Sequence, residues 1–302
     1  MRTSGVGSKF QNDRFSYAPR LANVACGGPQ PLFGFAWAAV NGALRHPLRV
    51  GTRLAWLAWE ITWIALNYVP RVALRSDSSL LQAKARWLQW GCRRVIKIFR
   101  LEIHAAESVP RQGLMVSNHL SYLDVLVFSA LTPCVFVAKR EVKDWPVFGW
   151  FARLAGTLFA DRQRRLQVGV LAKALKDVLD QGTLVVLFPE GTSSDGQTVL
   201  PFKSALLSPV ATCAGPVAAS VIHYFLNDGD VKDEVCYWKD MTLLPHLINL
   251  LSKQSIVAGV GFSQMEVNGS DRKMLARRLH AKVQSMKNGS LAAAAFTPYC
   301  GN

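Results

Sequence analysis

From residue 101 onward, short apolar runs alternate with stretches long enough to form helices, and this alternation restricts the fold more than any other feature. The runs are bounded by glycine or proline and have the length of β-strands. Strands that alternate with helices form α/β sandwiches with a parallel or mixed sheet. We therefore predict an α/β fold with a mixed, largely parallel sheet flanked by helices. Its strands are expected at residues 113–117, 134–138, 156–159, 183–188, 216–224 and 255–262.

The same pattern predicts the extent of the domain. Helices are expected between the strands, at residues 122–131, 146–154, 166–181, 203–213, 241–251 and 271–286. We interpret residues 101–286 as a catalytic domain and residues 287–302 as a flexible tail. Residues 1–32 are rich in Gly, Ser, Asn and Pro and lack the apolar core of a secretory signal, so they are predicted to be a disordered tail.

The front third of the chain has a different composition, typical of a membrane-anchoring unit of two helices at about residues 33–100. Between Arg53 and Arg71 the only charged residue is Glu60, and tryptophans are frequent. The apolar stretch 54–69 is shorter than the ~20 residues that cross a bilayer. Aromatic residues in this number favour the headgroup boundary. A buried helix of a large core would show a similar composition, and this alternative stays open.

A second helix, from Leu81 onward, has an apolar face and a basic face with tryptophans between them. This combination is typical of a helix that lies at an anionic membrane surface. An amphipathic helix that packs on a globular core with a solvated basic side is the alternative. From the two helices we predict these anchoring residues: Trp56, Trp59, Trp63, Trp87, Trp90, Arg93, Arg94 and Lys97.

The formal net charge of +15 indicates a negatively charged partner, which could be nucleic acid, acidic lipid or an acidic cofactor. No RNA-binding or helix-turn-helix signature is present, and the aromatic residues follow helical patterns beside long aliphatic runs. The sequence therefore favours lipid and argues against nucleic acid. Six scattered cysteines without a C-x-x-C pair predict neither a disulfide framework nor a metal site.

One loop with side chains suited to catalysis follows the first predicted strand and contains His119 and Asp124. Five positions apart, these side chains do not meet on an ideal helix. They can meet if His119 lies in the turn before the helix and Asp124 in its first turns. Imidazole is the natural base near neutral pH, and a carboxylate on its far nitrogen fixes the tautomer. The alternative is a turn whose side chains merely cap the next helix.

A second loop follows another apolar strand and reads Phe188-Pro-Glu-Gly-Thr-Ser193. Proline, glycine and short hydroxyl residues can expose backbone N–H groups to a headgroup. A plain tight turn uses the same residues. No cysteine or serine in a recognisable nucleophile elbow accompanies the histidine, so direct attack by a substrate hydroxyl is the simpler interpretation.

Together these blocks resemble the glycerolipid acyltransferase family. Its Asn-His-x4-Asp motif is matched by residues 118–124, and its Phe-Pro-Glu-Gly-Thr motif by residues 188–192. A further motif, Gly-x-hydrophobic-Phe-x-Asp-Arg, is similar to residues 156–162. The order and spacing also fit, and the resemblance extends over about residues 50–290, with the two-helix anchor included.

The resemblance implies roles for individual residues. His119 would be the general base and Asp124 its orienting partner. Arg162 would grip a phosphate of the acceptor, and Glu190, Gly191 and Thr192 would position its glycerol-like part. Asn118, Ser193 and Lys203 are further expected substrate-binding residues, with a solvated lysine at a helix start as the alternative for Lys203. The donor would be an acyl thioester of coenzyme A or acyl carrier protein, with no metal or bound cofactor. The expected location is the cytoplasmic face of a membrane, the inner membrane in a bacterium.

Two departures from the family pattern bear on the acceptor. Phosphate-accepting members commonly carry an arginine where Ser193 stands, and Ala219 replaces a proline of the fourth motif. We expect 1-acyl-sn-glycerol-3-phosphate as acceptor, which would yield phosphatidic acid. Residues 192–203 and 237–246 are also similar to lyso-ornithine lipid acyltransferases, whose acceptor lacks phosphate. A non-catalytic module that binds membrane or acyl chains is the alternative from another class.

Overall fold

The structure, a computed structural model, describes residues 45–75, 80–105, 108–160, 167–211, 215–266 and 271–294. Its first elements are two helices, α1 (Pro47–Leu66) and α2 (Leu80–Ile98), and a π-helical turn, Val69–Ala73, follows α1. Proline at the start of α1 suits a position whose N–H has no partner inside the helix. The predicted tail at residues 1–32 lies outside the described residues.

A seven-stranded sheet follows, in the order β1-β7-β6-β2-β5-β3-β4. All neighbours are parallel except the antiparallel pair β6 and β7, so the predicted mixed, largely parallel sheet is confirmed. The first strand was not among those predicted. The strands are β1 (Leu101–Ala105), β2 (Gly113–Ser117), β3 (Cys134–Lys139), β4 (Leu158–Ala160), β5 (Leu184–Leu187), β6 (Val217–Leu226) and β7 (Ile256–Met265).

Helices cover both faces of the sheet, and a short 3-10 helix, Arg140–Asp144, follows β3. The remaining helices are α3 (Leu123–Leu131), α4 (Phe148–Leu154), α5 (Gln167–Asp180), α6 (Ser204–Ala211), α7 (Val231–Glu234), α8 (Leu243–Ser252) and α9 (Arg272–Ala294). The last helix continues to Ala294, so residues 287–294 of the predicted flexible tail are helical, and residues 295–302 lie outside the described residues. Lys287 is in fact buried within the fold.

The core consists of two apolar layers, one on each face of the sheet. Successive side chains of a strand point to opposite faces, so Met115 joins one layer while Leu114 and Val116 join the other. The first layer includes α2, α3 and α8, and the second includes α5, α6 and α9. Every residue of β2 is buried, as expected of a central strand covered on both faces.

Strand register brings the two predicted loops together. β2 and β5 are parallel neighbours with Val116 opposite Leu187, so the segments that follow them emerge side by side at one edge of the sheet. β6 is also parallel to β2, with Ser220 opposite Ser117, and it continues to Leu226. The end of β6 therefore lies alongside the segment that contains His119.

The two front helices pack on the catalytic part. Ile98 and Phe99, at the end of α2, belong to the same core layer as α3. Arg53 of α1 is buried and donates to the carbonyl oxygens of Leu251 and Lys253 at the end of α8. These carbonyls carry the negative end of the helix dipole, so a guanidinium is a favourable partner there. The front helices are thus part of the folded core.

In the described ranges, no helix combines the length and the apolarity needed to cross a membrane.

Candidate active site

His119 and Asp124 are in direct contact, as the family resemblance implied. His119 lies in the turn after β2, Asp124 is in the first turn of α3, and Nδ1 of the imidazole is 2.8 Å from Oδ2 of the carboxylate. The Asp124 side chain is fully buried, whereas the His119 side chain is 22% exposed. Because Nδ1 is engaged with the carboxylate, Nε2 is the nitrogen that remains for a substrate.

Asp124 is held by three further hydrogen bonds. The backbone N–H groups of Leu120 and Ser121 donate to Oδ2 over 2.7 and 3.1 Å. The Tyr224 hydroxyl of β6 donates to Oδ1 over 2.7 Å. These three donors fix the orientation of the carboxylate. The same carboxylate therefore contacts His119 and braces the turn before α3, whereas no side chain caps the helix at Tyr122.

Asn118 supports the turn from below. Its side-chain amide donates to the Ile222 carbonyl and accepts from the Ile222 N–H, each over 2.9 Å, so it extends the pairing of β2 with β6. The side chain is buried and both ends of the amide are occupied. The prediction that Asn118 binds substrate is therefore wrong.

Glu190 also supports the His119 turn and does not face a substrate. Its Oε1 accepts the backbone N–H of His119 over 3.1 Å, and the residue is 1% exposed. Burial raises the pKa of this carboxyl to about 8, against the opposing effect of the His119 N–H. The expectation that Glu190 contacts the acceptor is wrong, because its side chain is buried and accepts the backbone N–H of His119.

The neighbouring loop residues reach the cavity described below. Gly191 has a φ of 68°, a left-handed conformation that favours glycine, and its N–H closes a turn onto the Phe188 carbonyl. Thr192 and Ser193 line the cavity beside it. The Ser193 hydroxyl donates to the Tyr237 carbonyl, which ties this loop to the segment before α8.

Lys203 and Arg162 were predicted near the same site. Lys203 is exposed at the start of α6, and it is not among the residues that line the cavity. Its backbone N–H donates to the Pro189 carbonyl. Arg162 lies outside the described residues. Over the ranges that the structure covers, no group of three His, Cys, Asp or Glu residues could hold a metal ion.

A cavity of about 730 Å³ opens beside the His119 ring. The ring stacks on Phe188 with a centroid separation of 4.2 Å, which fixes its orientation. The walls are mostly apolar and come from α1, α2, α3, α4 and β3, so the front helices form one side of the site. Among the wall residues are Leu57, Ile61, Trp87, Leu88, Val95, Val125, Phe136 and Phe151.

Few charged groups line this cavity, and its two lysines lie outside the motifs that predicted the site. Lys139 ends β3, and Lys239 follows Trp238, whose ring lies 3.9 Å from the Lys239 ammonium. The conformation of Lys239 is left-handed, with a φ of 54°. Lysines are common at protein surfaces, so only their place at the carboxyl edge of the sheet distinguishes these two.

The predicted anchoring residues separate into two groups. Trp59 is 62% exposed, Trp56 and Trp63 are also exposed, and Trp59 stacks on Trp63 on the outer face of α1. Trp87, in contrast, is 1% exposed and donates to the Ile64 carbonyl. The prediction that Trp87 meets a membrane surface is wrong, because its indole packs between Tyr68 and Phe151 inside the protein.

Two of the three basic residues of α2 that were predicted to anchor, Arg93 and Arg94, make contacts within the protein. Arg94 forms a two-point ion pair with the buried Glu60 of α1, over 2.5 and 2.9 Å. Despite burial, this guanidinium and the Trp56 indole keep the pKa of Glu60 below its usual range. Arg93 donates to the Ala130 carbonyl at the end of α3, and Trp90 lies beneath the Arg71 guanidinium. Lys97 is exposed.

Comparison with known proteins gives a consistent result. Residues 100–223 match the family model described as Acyltransferase. A lyso-ornithine lipid O-acyltransferase of Brucella abortus is 36% identical over 59% of this chain and 72% of its own length. A protein of the same name from Pseudomonas aeruginosa is 30% identical over 76% of this chain and 90% of its own length.

Two further matches have a different name. A 1-acyl-sn-glycerol-3-phosphate acyltransferase of Neisseria gonorrhoeae is 34% identical over 44% of this chain and 56% of its own length. The crystal structure of the 1-acyl-sn-glycerophosphate acyltransferase PlsC from Thermotoga maritima has the same fold. It superposes with a TM-score of 0.60 at 18% identity and covers 83% of this chain and 98% of that one. The chain belongs to the acyltransferase family and is an acyltransferase.

Proposed function

We propose that this acyltransferase moves a fatty acyl group from a thioester to the free hydroxyl of a lysolipid, with His119 as general base. The observation that carries the proposal is the His119–Asp124 contact at the wall of an apolar cavity. A base must lie within hydrogen-bond reach of the proton that it removes, and the Nε2 side of the ring is the side that a substrate can reach.

The proposed reaction has two steps. The acceptor hydroxyl gives its proton to Nε2 as its oxygen attacks the thioester carbonyl carbon, and a tetrahedral intermediate forms. The carbon–sulfur bond then breaks, and the leaving thiolate takes the proton back from the imidazolium. The products are the acylated lipid and the free thiol of the carrier, and no covalent enzyme intermediate is required.

Asp124 serves this reaction through His119. Its contact with Nδ1 keeps the proton on that nitrogen and leaves Nε2 unprotonated in the resting state. When Nε2 accepts a proton, the buried carboxylate stabilises the positive charge of the imidazolium. The stack of His119 on Phe188 holds the ring in the plane that this geometry needs.

The cavity beside the base suits acyl chains. Its volume of about 730 Å³ lies in the usual range of ligand pockets. Aliphatic and aromatic side chains from the front helices form much of its wall. Burial of an acyl chain there is worth about 0.8 kcal/mol for each methylene removed from water. We assign this cavity to the chains of the donor or the acceptor.

For the acceptor we favour a lyso-ornithine lipid. Relatives with that name match across 72% and 90% of their length. Ser193 stands where phosphate-accepting members commonly carry arginine, and its hydroxyl is used internally. The lysolipid first expected, 1-acyl-sn-glycerol-3-phosphate, is the second candidate, because Lys139 and Lys239 offer positive charge at the cavity.

We also propose that the outer face of α1 contacts the membrane from the cytoplasmic side. One face of α1, with Arg53, Glu60 and Ile64, is buried, whereas the adjacent face exposes Trp59, Trp63 and Leu66. Exposed apolar groups of this size usually mark a contact surface. The donor would be acyl-CoA or acyl carrier protein, and the chemistry uses side chains alone, without a bound cofactor or metal.

The test offers both lysolipids to the purified protein in mixed micelles with a radiolabelled acyl thioester. Thin-layer chromatography separates the two products. We expect a higher kcat/KM for the lyso-ornithine lipid, which yields labelled ornithine lipid, than for 1-acyl-sn-glycerol-3-phosphate, which yields labelled phosphatidic acid. A higher kcat/KM for 1-acyl-sn-glycerol-3-phosphate would reverse the order of the acceptors. Label in neither product, with both acyl-CoA and acyl carrier protein thioesters, would contradict the proposed function.

A further inference from the structure

β6 carries a tyrosine directly beneath the His119–Asp124 pair. The Tyr224 hydroxyl donates to Asp124 Oδ1 over 2.7 Å, and the other carboxylate oxygen, Oδ2, faces His119. Tyr224 is 4% exposed, so water cannot replace it readily. A hydroxyl thus contacts the carboxylate on the side away from the ring.

The position of this tyrosine follows from the register of the sheet. β6 pairs with β2 as far as Ser117 and then continues past the end of β2. Within this extension Ile222 binds the Asn118 amide and Tyr224 binds Asp124, two residues apart on the same face of β6. One strand therefore supports both ends of the motif.

We propose that Tyr224 is a positioning residue for the acyl transfer, which acts on His119 through Asp124. This inference rests on the proposed function. The hydroxyl holds the carboxylate in the orientation that aims Oδ2 at Nδ1, and it shares the negative charge of Asp124. The strength of the Tyr224 hydrogen bond therefore controls how strongly Asp124 stabilises a protonated His119.

The other titratable groups near the pair do not orient the Asp124 carboxylate as Tyr224 does. From the loop after β5, Glu190 contacts the backbone of His119 and not its ring. In the segment before α8, burial and then the Asp124 carboxylate raise the pKa of the Cys236 thiol to about 12, so it stays neutral. The positive charge of Lys287 on α9 lowers the pKa of Glu190, against the larger effect of burial. Burial and Asp124 raise the pKa of the Tyr224 phenol, so it remains a donor throughout the working range of pH.

The test compares Tyr224→Phe with Ser220→Ala. Ser220 lies on the same strand, is buried and donates to the Gly261 carbonyl, so the control also loses one buried hydroxyl without touching the pair. Without the hydroxyl the imidazolium holds its proton more tightly and returns it to the leaving thiolate less readily, so we expect kcat of Tyr224→Phe to fall about tenfold. KM for both substrates should stay within about twofold, because no substrate contact is removed.

The pH profile separates positioning from a loss of packing. Without the hydroxyl, Asp124 carries more negative charge toward His119 and the imidazolium is stabilised. The acid limb of kcat/KM should therefore move to higher pH in Tyr224→Phe and stay in place in Ser220→Ala. An unchanged acid limb, or equal shifts in the two variants, would overturn the proposal.

Two measurements keep the test independent of turnover and of folding. The pH dependence of the rate at which diethylpyrocarbonate modifies His119, with His119→Ala as the blank, reports the same shift without substrate. If this pH dependence shifts in Tyr224→Phe while His119→Ala retains acyl transfer, the proposed function fails and the coupling of Tyr224 to His119 stands. If Tyr224→Phe does not fold, 3-fluorotyrosine is placed at position 224 instead. Its hydroxyl is a stronger donor to Asp124, so the pH dependence of His119 modification must move to lower pH. A titration that stays in place would overturn the coupling.

Discussion

The His119 turn and the outer face of α1 are organised by opposite kinds of interaction. In the turn, Asp124 alone receives hydrogen bonds from Leu120, Ser121 and Tyr224 besides its contact with His119. On α1, Trp59 and Trp63 are exposed and stack on each other. Activity at a hydrogen-bonded site should change when a single atom is replaced. Membrane binding through an apolar face should change in proportion to the apolar area that is altered.

The largest effect is expected in the hydrogen-bonded turn. Asp124→Asn keeps the volume but removes the charge that orients His119 and stabilises its imidazolium. We expect kcat to fall about a thousandfold, within the range of general-base catalysis. The control is Asp177→Asn, an exposed carboxylate of α5, which should retain full activity. Activity of Asp124→Asn within tenfold of the parent would show that the carboxylate is not needed.

The outer face of α1 should show a graded response. Trp59→Glu with Trp63→Glu places two charges on it, and at about 1 kcal/mol for each lost indole contact we expect binding to anionic vesicles to weaken about thirtyfold. The matched control, Val170→Glu with Met274→Glu, alters exposed apolar residues of α5 and α9. Sedimentation with vesicles measures both. Equal losses would mean that charge, and not the α1 face, controls binding.

A smaller change should alter the choice of acceptor. Ser193→Arg introduces a guanidinium at the cavity wall and removes the hydrogen bond to Tyr237. Because arginine binds phosphate through two parallel hydrogen bonds, we expect the ratio of kcat/KM to shift about tenfold toward the phosphate-bearing lysolipid. Ser193→Ala removes the hydrogen bond alone and should leave the ratio unchanged. The same ratio in both variants would exclude Ser193 as a determinant of specificity.

The smallest effect concerns stability. The pKa of Glu190 rises from 4.5 to about 8 on burial, so the folded state holds a proton that the unfolded chain releases. Folding stability from this group is therefore present below pH 4.5 and is lost as pH rises toward about 8. Glu190→Gln keeps an acceptor for the His119 N–H but cannot ionise. Urea unfolding from pH 5 to 8 should show a flatter pH dependence in this variant, and parallel curves would contradict the assignment.

The pattern of the chain predicted most of the fold. Each predicted strand has a counterpart, because buried strands bounded by glycine or proline differ clearly from the intervening helices. β1 was missed because its residues alternate in burial at the edge of the sheet and contain Glu102 and His104. The end of α9 was missed because glycine and alanine there resemble a frayed tail, whereas Lys287 is buried.

The site could be predicted only in part. His119 and Asp124 belong to one local turn, so the motif that contains both could be recognised in the sequence. Asn118 and Glu190 were assigned to substrate because the motif gives no sign of which way a side chain points. Tyr224 escaped notice because its role depends on the register of β6 against β2, which joins distant parts of the chain. Trp87 was misassigned because an indole between two helix faces can turn inward or outward.

Replacement of His119 by Ala tests the central claim most directly. Acyl transfer to both lysolipids should fall by about a thousandfold or more, while binding of the acyl thioester, measured separately, should remain close to that of the parent. The exposed His104→Ala should behave as the parent. Transfer by His119→Ala within a few-fold of the parent would contradict the claim that this imidazole removes the acceptor proton.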